Sequence, residues 1–214
     1  MKNLAITLLL TLLIAPFSWA QDNYEKPVKP TKTLLGDGAK VRGFGSVDIR
    51  MTEMMDDLGV LVGAHGGIIL NNHFVIGLGG YGLTSNFQVE GGENLDDLYL
   101  YGGYGGLILG GIFSPKEVVH IYTPVLIGAG GMEVTNRNYL NNFHRPQPPF
   151  GTYAETSAFF VVEPGLEVEI NVTRFFKIGL GASYRFIRES DLISVSDQDL
   201  SGFSGGMSLK FGKF

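Results

Sequence analysis

Cysteine is absent from all 214 residues. That removes disulfides, thiolate metal centres, a cysteine nucleophile and an N-terminal lipidated cysteine together. Positive charge is also scarce, with 16 Lys and Arg against 21 Asp and Glu and a net charge of −5, a balance that argues against nucleic acid as a partner. Long apolar runs are missing as well. The stretch Leu4–Pro16 is too short to cross a membrane as a helix, and no other segment approaches the roughly 18 uninterrupted apolar residues a spanning helix needs. A chain of this kind crosses a membrane only as a closed barrel, in which every backbone polar group finds a partner.

The motifs that would announce chemistry are equally thin. Gly77-Leu78-Gly79-Gly80-Tyr81-Gly82 matches G-x-G-x-x-G but ends a strand pattern instead of opening a helix, so it is not read as a phosphate cradle. Arg42-Gly43-Phe44-Gly45-Ser46-Val47 overlaps the start of an RNA-recognition octamer, yet Ser46 replaces its stacking aromatic. The four histidines, His65, His73, His120 and His144, fall on different predicted elements without i, i+4 spacing. No metal, no cofactor and no enzymatic activity are expected. Only His65 is expected to face an interior, and no serine is placed beside it by the sequence.

What the chain does have is glycine, 31 residues of it, and a two-residue rhythm. Lys2, the apolar run and Ser18-Trp19-Ala20 form the three parts of a secretory signal peptide, with cleavage expected after Ala20. Residues 21–38, with two prolines and three lysines, read as a flexible periplasmic leader. Residues 39–214 read as one domain. Its clearest stretch is Phe159–Phe186. Phe160, Val162, Pro164, Leu166, Val168 and Ile170 share one face before a turn, and Phe176, Ile178, Leu180, Ala182, Tyr184 and Phe186 share one face after it. Ten steps of about 3.3 Å, tilted by about 40°, give roughly 25 Å, the height of an apolar barrel wall.

Eight strands are predicted, at Val41–Met51, Leu58–Leu70, Phe74–Leu83, Leu98–Phe113, Val119–Val134, Ala158–Ile170, Phe175–Phe186 and Gly202–Phe214. Three connections are tight: Asn71–His73, Ser114–Val118 and Asn171–Arg174. Four are longer or more polar: Thr52–Asp57, Thr84–Asp97, Glu133–Ser157 and Glu189–Ser201. Aromatic residues gather near both ends. Phe74, Phe113, Tyr122, Phe175, Phe176, Phe211 and Phe214 lie by the short turns, and Tyr81, Tyr99, Tyr101, Phe159, Phe160, Tyr184 and Phe186 by the long loops.

The last strand, Gly202–Phe214, closes on Lys210-Phe211-Gly212-Lys213-Phe214. With the signal peptide, the glycine-rich strands and the alternating loops, this resembles the small eight-stranded outer-membrane β-barrel proteins of Gram-negative bacteria. The resemblance implies an all-β, antiparallel, up-and-down transmembrane barrel in the cell outer membrane. It also implies contact with outer-membrane lipid, and a barrel-insertion machinery that reads Phe211 and Phe214. Phe214 departs from the pattern: Phe203, Met207, Leu209 and Phe211 share a face, and Phe214 falls on the other.

Charges on the opposite, inward parity are expected to form a network in the lumen: Arg42, Asp48 and Arg50, then Glu163, Glu167 and Glu169, then Lys177, Arg185 and Lys210. So many charges cannot be buried unpaired, and an eight-stranded interior is only wide enough for side chains to fill. The expected role is structural or surface-interacting, in a monomer whose lumen is plugged. Tyr139, Phe143, His144, Arg145, Phe150 and Tyr153 in the longest loop are the candidate contacts to an extracellular ligand. Two alternatives stay open. One is a secreted soluble barrel around a small apolar ligand, distinguished by which parity faces out, and the other is a lipid-modifying barrel enzyme.

Overall fold

The computed structural model describes residues 39–85, 87–89, 98–136 and 154–214. The expected signal peptide and leader, and the loop candidates Tyr139, Phe143, His144, Arg145, Phe150 and Tyr153, lie outside these residues. The elements are β1 (Val41–Met54), β2 (Asp57–Leu70), β3 (Phe74–Leu83), β4 (Phe87–Val89), β5 (Leu98–Phe113), β6 (Val119–Asn136), β7 (Ala154–Asn171), β8 (Phe176–Arg188), α1 (Asp197–Leu200) and β9 (Gly202–Gly212).

Each strand pairs antiparallel with its sequence neighbour. The sheet closes on itself where β1 meets β9, with Val47 opposite Leu209. Strand β3 pairs with β5, Gly80 opposite Gly105, and β4 continues the same wall position upward, Gln88 opposite Tyr99. The wall therefore has eight positions and closes on itself.

The two-residue rhythm becomes an inside and an outside. Along β7, Phe160, Val162, Leu166, Val168 and Ile170 are exposed, while Val161, Glu163, Glu167 and Glu169 are buried. The same alternation sends Val47, Ile49 and Met51 of β1, Ile76 and Leu78 of β3, Leu107 and Leu109 of β5, Leu180 of β8 and Met207 of β9 outward. No Asp, Glu, Lys or Arg occupies an outward strand position until Glu53, Glu133 and Arg188 at the long-loop end. The apolar parity faces out.

Inside, the filling changes with height. At the long-loop end an apolar cluster joins Met54, Leu61, Leu100, Val134 and Ile187 to Leu192, Val195 and Leu200 from the β8–β9 connection, which folds inward. At the short-turn end Ile69, Val75, Ile112 and Tyr122 pack with Phe44 and Phe214. Charged and hydroxyl side chains lie between the two.

Several connections differ from the sequence expectation. Thr52–Asp57 is not a loop: β1 and β2 run on to leave a two-residue turn, Met55–Asp56, with φ of 54° and 57°. Asn71 and Asn72 make the equivalent turn at the other end, with φ of 50° and 66°. Two positive-φ residues match the right-handed twist of the flanking strands. Asn and Asp tolerate this geometry, whereas Met55 is held in it by packing on the apolar cluster and by its N–H donating to the Asp199 carbonyl at 2.8 Å. The stretch expected as the loop Thr84–Asp97 contains β4. The Glu189–Ser201 connection contains α1, capped by a reciprocal pair of bonds between Ser196 and Asp199.

The two aromatic groups divide by parity. Phe74, Phe113, Phe175, Phe211, Phe160 and Phe186 are exposed on the wall, but Tyr122, Tyr81 and Phe159 are buried in the interior. Phe214 lies just beyond the end of β9 on the inward parity of Lys210 and packs against the lower interior cluster, its N–H donating to the Arg174 carbonyl at 3.3 Å. Two prolines sit side by side in the wall. The β6–β7 ladder skips from Tyr122↔Glu167 to Val125↔Pro164, and the β7–β8 ladder from Val162↔Phe186 to Gly165↔Ser183. Pro124 and Pro164 have no N–H to give.

Candidate functional site

Two polar clusters fill the middle of the barrel. In the upper one, Arg50 of β1 reaches across the interior to Glu163 of β7 at 2.5 Å and donates to the Tyr81 hydroxyl at 2.5 Å. Glu163 also accepts from Tyr104 at 2.5 Å and Ser183 at 2.6 Å. The Tyr81 hydroxyl donates to Asp48 at 3.1 Å. Asp48 accepts from Ser46 at 2.9 Å and contacts His65 Nδ1 at 2.6 Å.

The lower cluster centres on Glu169. Its carboxylate is met by Lys210 at 2.5 Å, Lys177 at 3.2 Å and His120 Nε2 at 2.7 Å. Glu167 takes Lys210 at 3.1 Å and the Ser208 hydroxyl. Gly179 makes this possible, because a Cβ there would occupy the space of the Glu167 carboxylate. The two ammonium groups are capped by aromatic faces, Lys210 over Tyr122 at 4.1 Å and Lys177 over Phe214 at 4.2 Å. His120 Nε2 cannot donate to Glu169 and accept from Lys177, 3.2 Å away, at once; the shorter contact places the proton on Nε2.

Of the nine inward charges expected from sequence, the structure brings seven into these clusters: Asp48, Arg50, Glu163, Glu167, Glu169, Lys177 and Lys210. Lys177 stands opposite Asn171 and Glu169 opposite Gly179, so the ion pair between Lys177 and Glu169 is diagonal. Arg42 is half-buried at the short-turn mouth, in a recess with Lys177 and Phe214, and makes no ion pair among the described residues. Arg185 does not join the network. Fully buried beside α1, it donates to the Leu200 carbonyl at 2.9 Å and Thr52 Oγ1 at 2.9 Å, tying the β8–β9 connection to the barrel.

The sequence reading missed His120, Tyr104, Ser46 and Ser208, all inward on alternate positions. His120 is 2% exposed, so His65 is not the only inward histidine. A serine does stand by His65, since Ser46 is its cross-strand neighbour. Its hydroxyl donates to Asp48, however, and not to the imidazole, so the three groups do not form the nucleophile–base arrangement of acyl transfer. His65 Nε2 and the Tyr122 hydroxyl have no partner among the described residues. Both line a small cavity between the clusters, with Arg50, Tyr81, Glu163 and Glu167. Buried polar atoms facing a gap of this kind are suited to ordered water. Among the described residues there is no cluster of three or more His, Asp or Glu able to hold a metal.

No protein-family model matches the chain, and no curated protein matches it. Solved structures do. The crystal structure of Neisserial surface protein A is 13% identical, covering 83% of this chain and all of that one, with a TM-score of 0.54. The N-terminal β-barrel domain of Pseudomonas aeruginosa OprF is 12% identical over 80% of this chain and 96% of that one, with a TM-score of 0.47. Ail, the attachment invasion locus protein of Yersinia pestis, solved with the heparin analogue sucrose octasulfate, is 16% identical over 82% of this chain and 99% of that one, with a TM-score of 0.47. At 13% identity the Neisserial likeness is one of fold, a small closed antiparallel barrel. The other two fall below a TM-score of 0.5 and carry no weight.

Proposed function

We propose that the chain is a transmembrane barrel of the bacterial outer membrane with a structural or surface-interaction role, its lumen plugged by its own side chains and its outer loops available for contact. The observation that carries this reading is the outer wall, an apolar belt without a charge between the two ends, wrapped around a charged interior. In water such a surface would be an aggregation hazard, far larger than the few hundred Å² of contiguous apolar surface a soluble monomer exposes. In hydrocarbon it is the required surface. This favours the membrane reading over a secreted barrel around an apolar ligand, which would carry its greasy parity inside.

The short turns, the start of β1 and the end of β9 would face the periplasm, with the long-loop connections outside. Tyr139, Phe143, His144, Arg145, Phe150 and Tyr153 are the residues proposed to make surface contacts, and Phe211 and Phe214 to be read during insertion. Fractionation of cells expressing the chain tests the location: recovery with the outer membrane is expected, and recovery in soluble periplasm would overturn the proposal. Planar bilayers test the plug. No steady conductance is expected, and large single-channel steps would sink that part of the reading.

A further inference from the structure

Among the described residues, exposed charge on the barrel is confined to its two rims, and the rims have opposite sign. Around the short turns, the exposed side chains Lys40, Lys116, Arg174 and Lys213 face one exposed carboxylate, Glu117. Around the long-loop end, the described residues expose Glu53, Asp56, Asp57, Glu189, Asp191 and Asp199 against one cation, Arg188.

The position of the cations matters as much as their number. Lys40 precedes Val41, which is 55% exposed, and Arg174 precedes Phe175, which is 62% exposed. Lys116 lies three residues beyond Phe113 and Lys213 two beyond Phe211, both exposed on the wall. Each cation therefore stands directly past the lower edge of the apolar belt, at the level where lipid headgroups begin. None of the four side chains is in an ion pair among the described residues.

Resting on the membrane reading above, we infer that the short-turn rim is a docking surface for anionic phospholipid headgroups, and that the acidic opposite rim disfavours the same lipids in the other leaflet. The barrel is thus an electrostatic dipole matched to a bilayer whose anionic phospholipid lies on the short-turn side. Lys and Arg near an anionic surface each contribute about a fivefold gain in binding, so three of them together give roughly 100-fold.

The test is equilibrium unfolding in urea of the chain refolded into vesicles with phosphatidylglycerol confined to one leaflet of an otherwise phosphatidylcholine bilayer. Chain added from outside leaves its short turns in the outer leaflet. With the anionic lipid outside, the folding equilibrium constant is expected to rise by about 10- to 100-fold over the pure phosphatidylcholine bilayer, and with it inside, to fall. Both effects should shrink at about 1 M salt, where the screening length falls to roughly 3 Å. The combined variant Lys116→Gln, Arg174→Gln and Lys213→Gln should fold as well as wild type in phosphatidylcholine and lose the outer-leaflet gain, while Lys116→Arg with Lys213→Arg keeps it. Equal stability of the wild type in the two asymmetric bilayers, or an undiminished gain in the glutamine variant, would overturn the inference while leaving the membrane reading intact. Failure of the wild type to fold in any of the bilayers would overturn both.

Discussion

Glu169→Gln is the sharpest probe of the interior. Lys210 has two carboxylates, Glu167 at 3.1 Å and Glu169 at 2.5 Å, and keeps the first when the second is neutralised. Among the described residues Lys177 pairs with one carboxylate, Glu169 at 3.2 Å, and its side chain is 4% exposed. The substitution therefore strands one ammonium in a site from which water is largely excluded. Breaking a buried pair from one side costs about 3 to 5 kcal/mol, and the Phe214 face over Lys177 offsets about 1 of this. A net loss of about 2 to 4 kcal/mol follows. With a urea slope of about 1 to 3 kcal/mol per molar, the unfolding midpoint should drop by roughly 1 to 3 M. Lys177→Met in the Glu169→Gln background should recover part of the loss, with a coupling of about 1 to 3 kcal/mol in the double-mutant cycle. The sequence's one tryptophan, Trp19, falls in the expected signal peptide, so heat-modifiable gel mobility and circular dichroism are the appropriate readouts. Simple additivity of the two single effects would refute the pairing, and a midpoint shift near zero for Glu169→Gln would mean a solvated lumen.

Leu180→Arg, on an outward side chain 59% exposed, should cost about 2 to 4 kcal/mol in a bilayer, whereas Gly205→Ala, whose new Cβ would be 3.8 Å from its nearest neighbour, should be silent; equal folding yields in vesicles would show the faces to be misassigned. Gly181→Ser should destabilise as well, since a Cβ there would lie 2.6 Å from the Leu166 carbonyl. Gly179→Ala should displace Glu167 from Lys210 and Ser208 and lower stability by about 1 to 3 kcal/mol, more than Ser208→Ala, as urea midpoints would reveal. Removing Phe214 should slow insertion in cells and also lower stability by about 1 kcal/mol in purified vesicles, because the ring covers Lys177 and the lower apolar cluster; unchanged urea midpoints would leave it a signal and nothing more.

The strands were legible because period 2 is a purely local signal, and the wall of a barrel repeats it with little interruption. Thr52 and Met54 continue that rhythm, inward and buried, through what reads as a polar loop; Met55 is no turn former, and packing on the apolar cluster together with its bond to α1 holds it in a tight turn. Strand β4 escaped notice because three residues, Phe87–Val89, are too few for any period to register. His120 was hidden by the many apolar inward positions of β2 to β6, which blur the contrast between faces. Arg185 shares the parity of the lumen charges, and parity was all the sequence supplied. Its height beside α1, and hence its carbonyl partners, depends on how the β8–β9 connection folds inward.

The pairing of Arg50 with Glu163 joins β1 to β7 across 113 residues of sequence, and this has a consequence in time. Strand β7 alone would take Glu163, Glu167 and Glu169 into hydrocarbon, and their cations are carried by β1, β8 and β9. No strand is ready to cross by itself, although each has its outer face complete. Strand β1 is synthesised first, yet Asp48 and Arg50 must stay hydrated until the later strands arrive. Lys210, the cation shared by two of the glutamates, comes almost last. A nascent chain halted before Gly202 would have the greasy wall of a membrane protein and a core still paired with water, so passage into the bilayer waits on the final strand and takes the whole barrel at once.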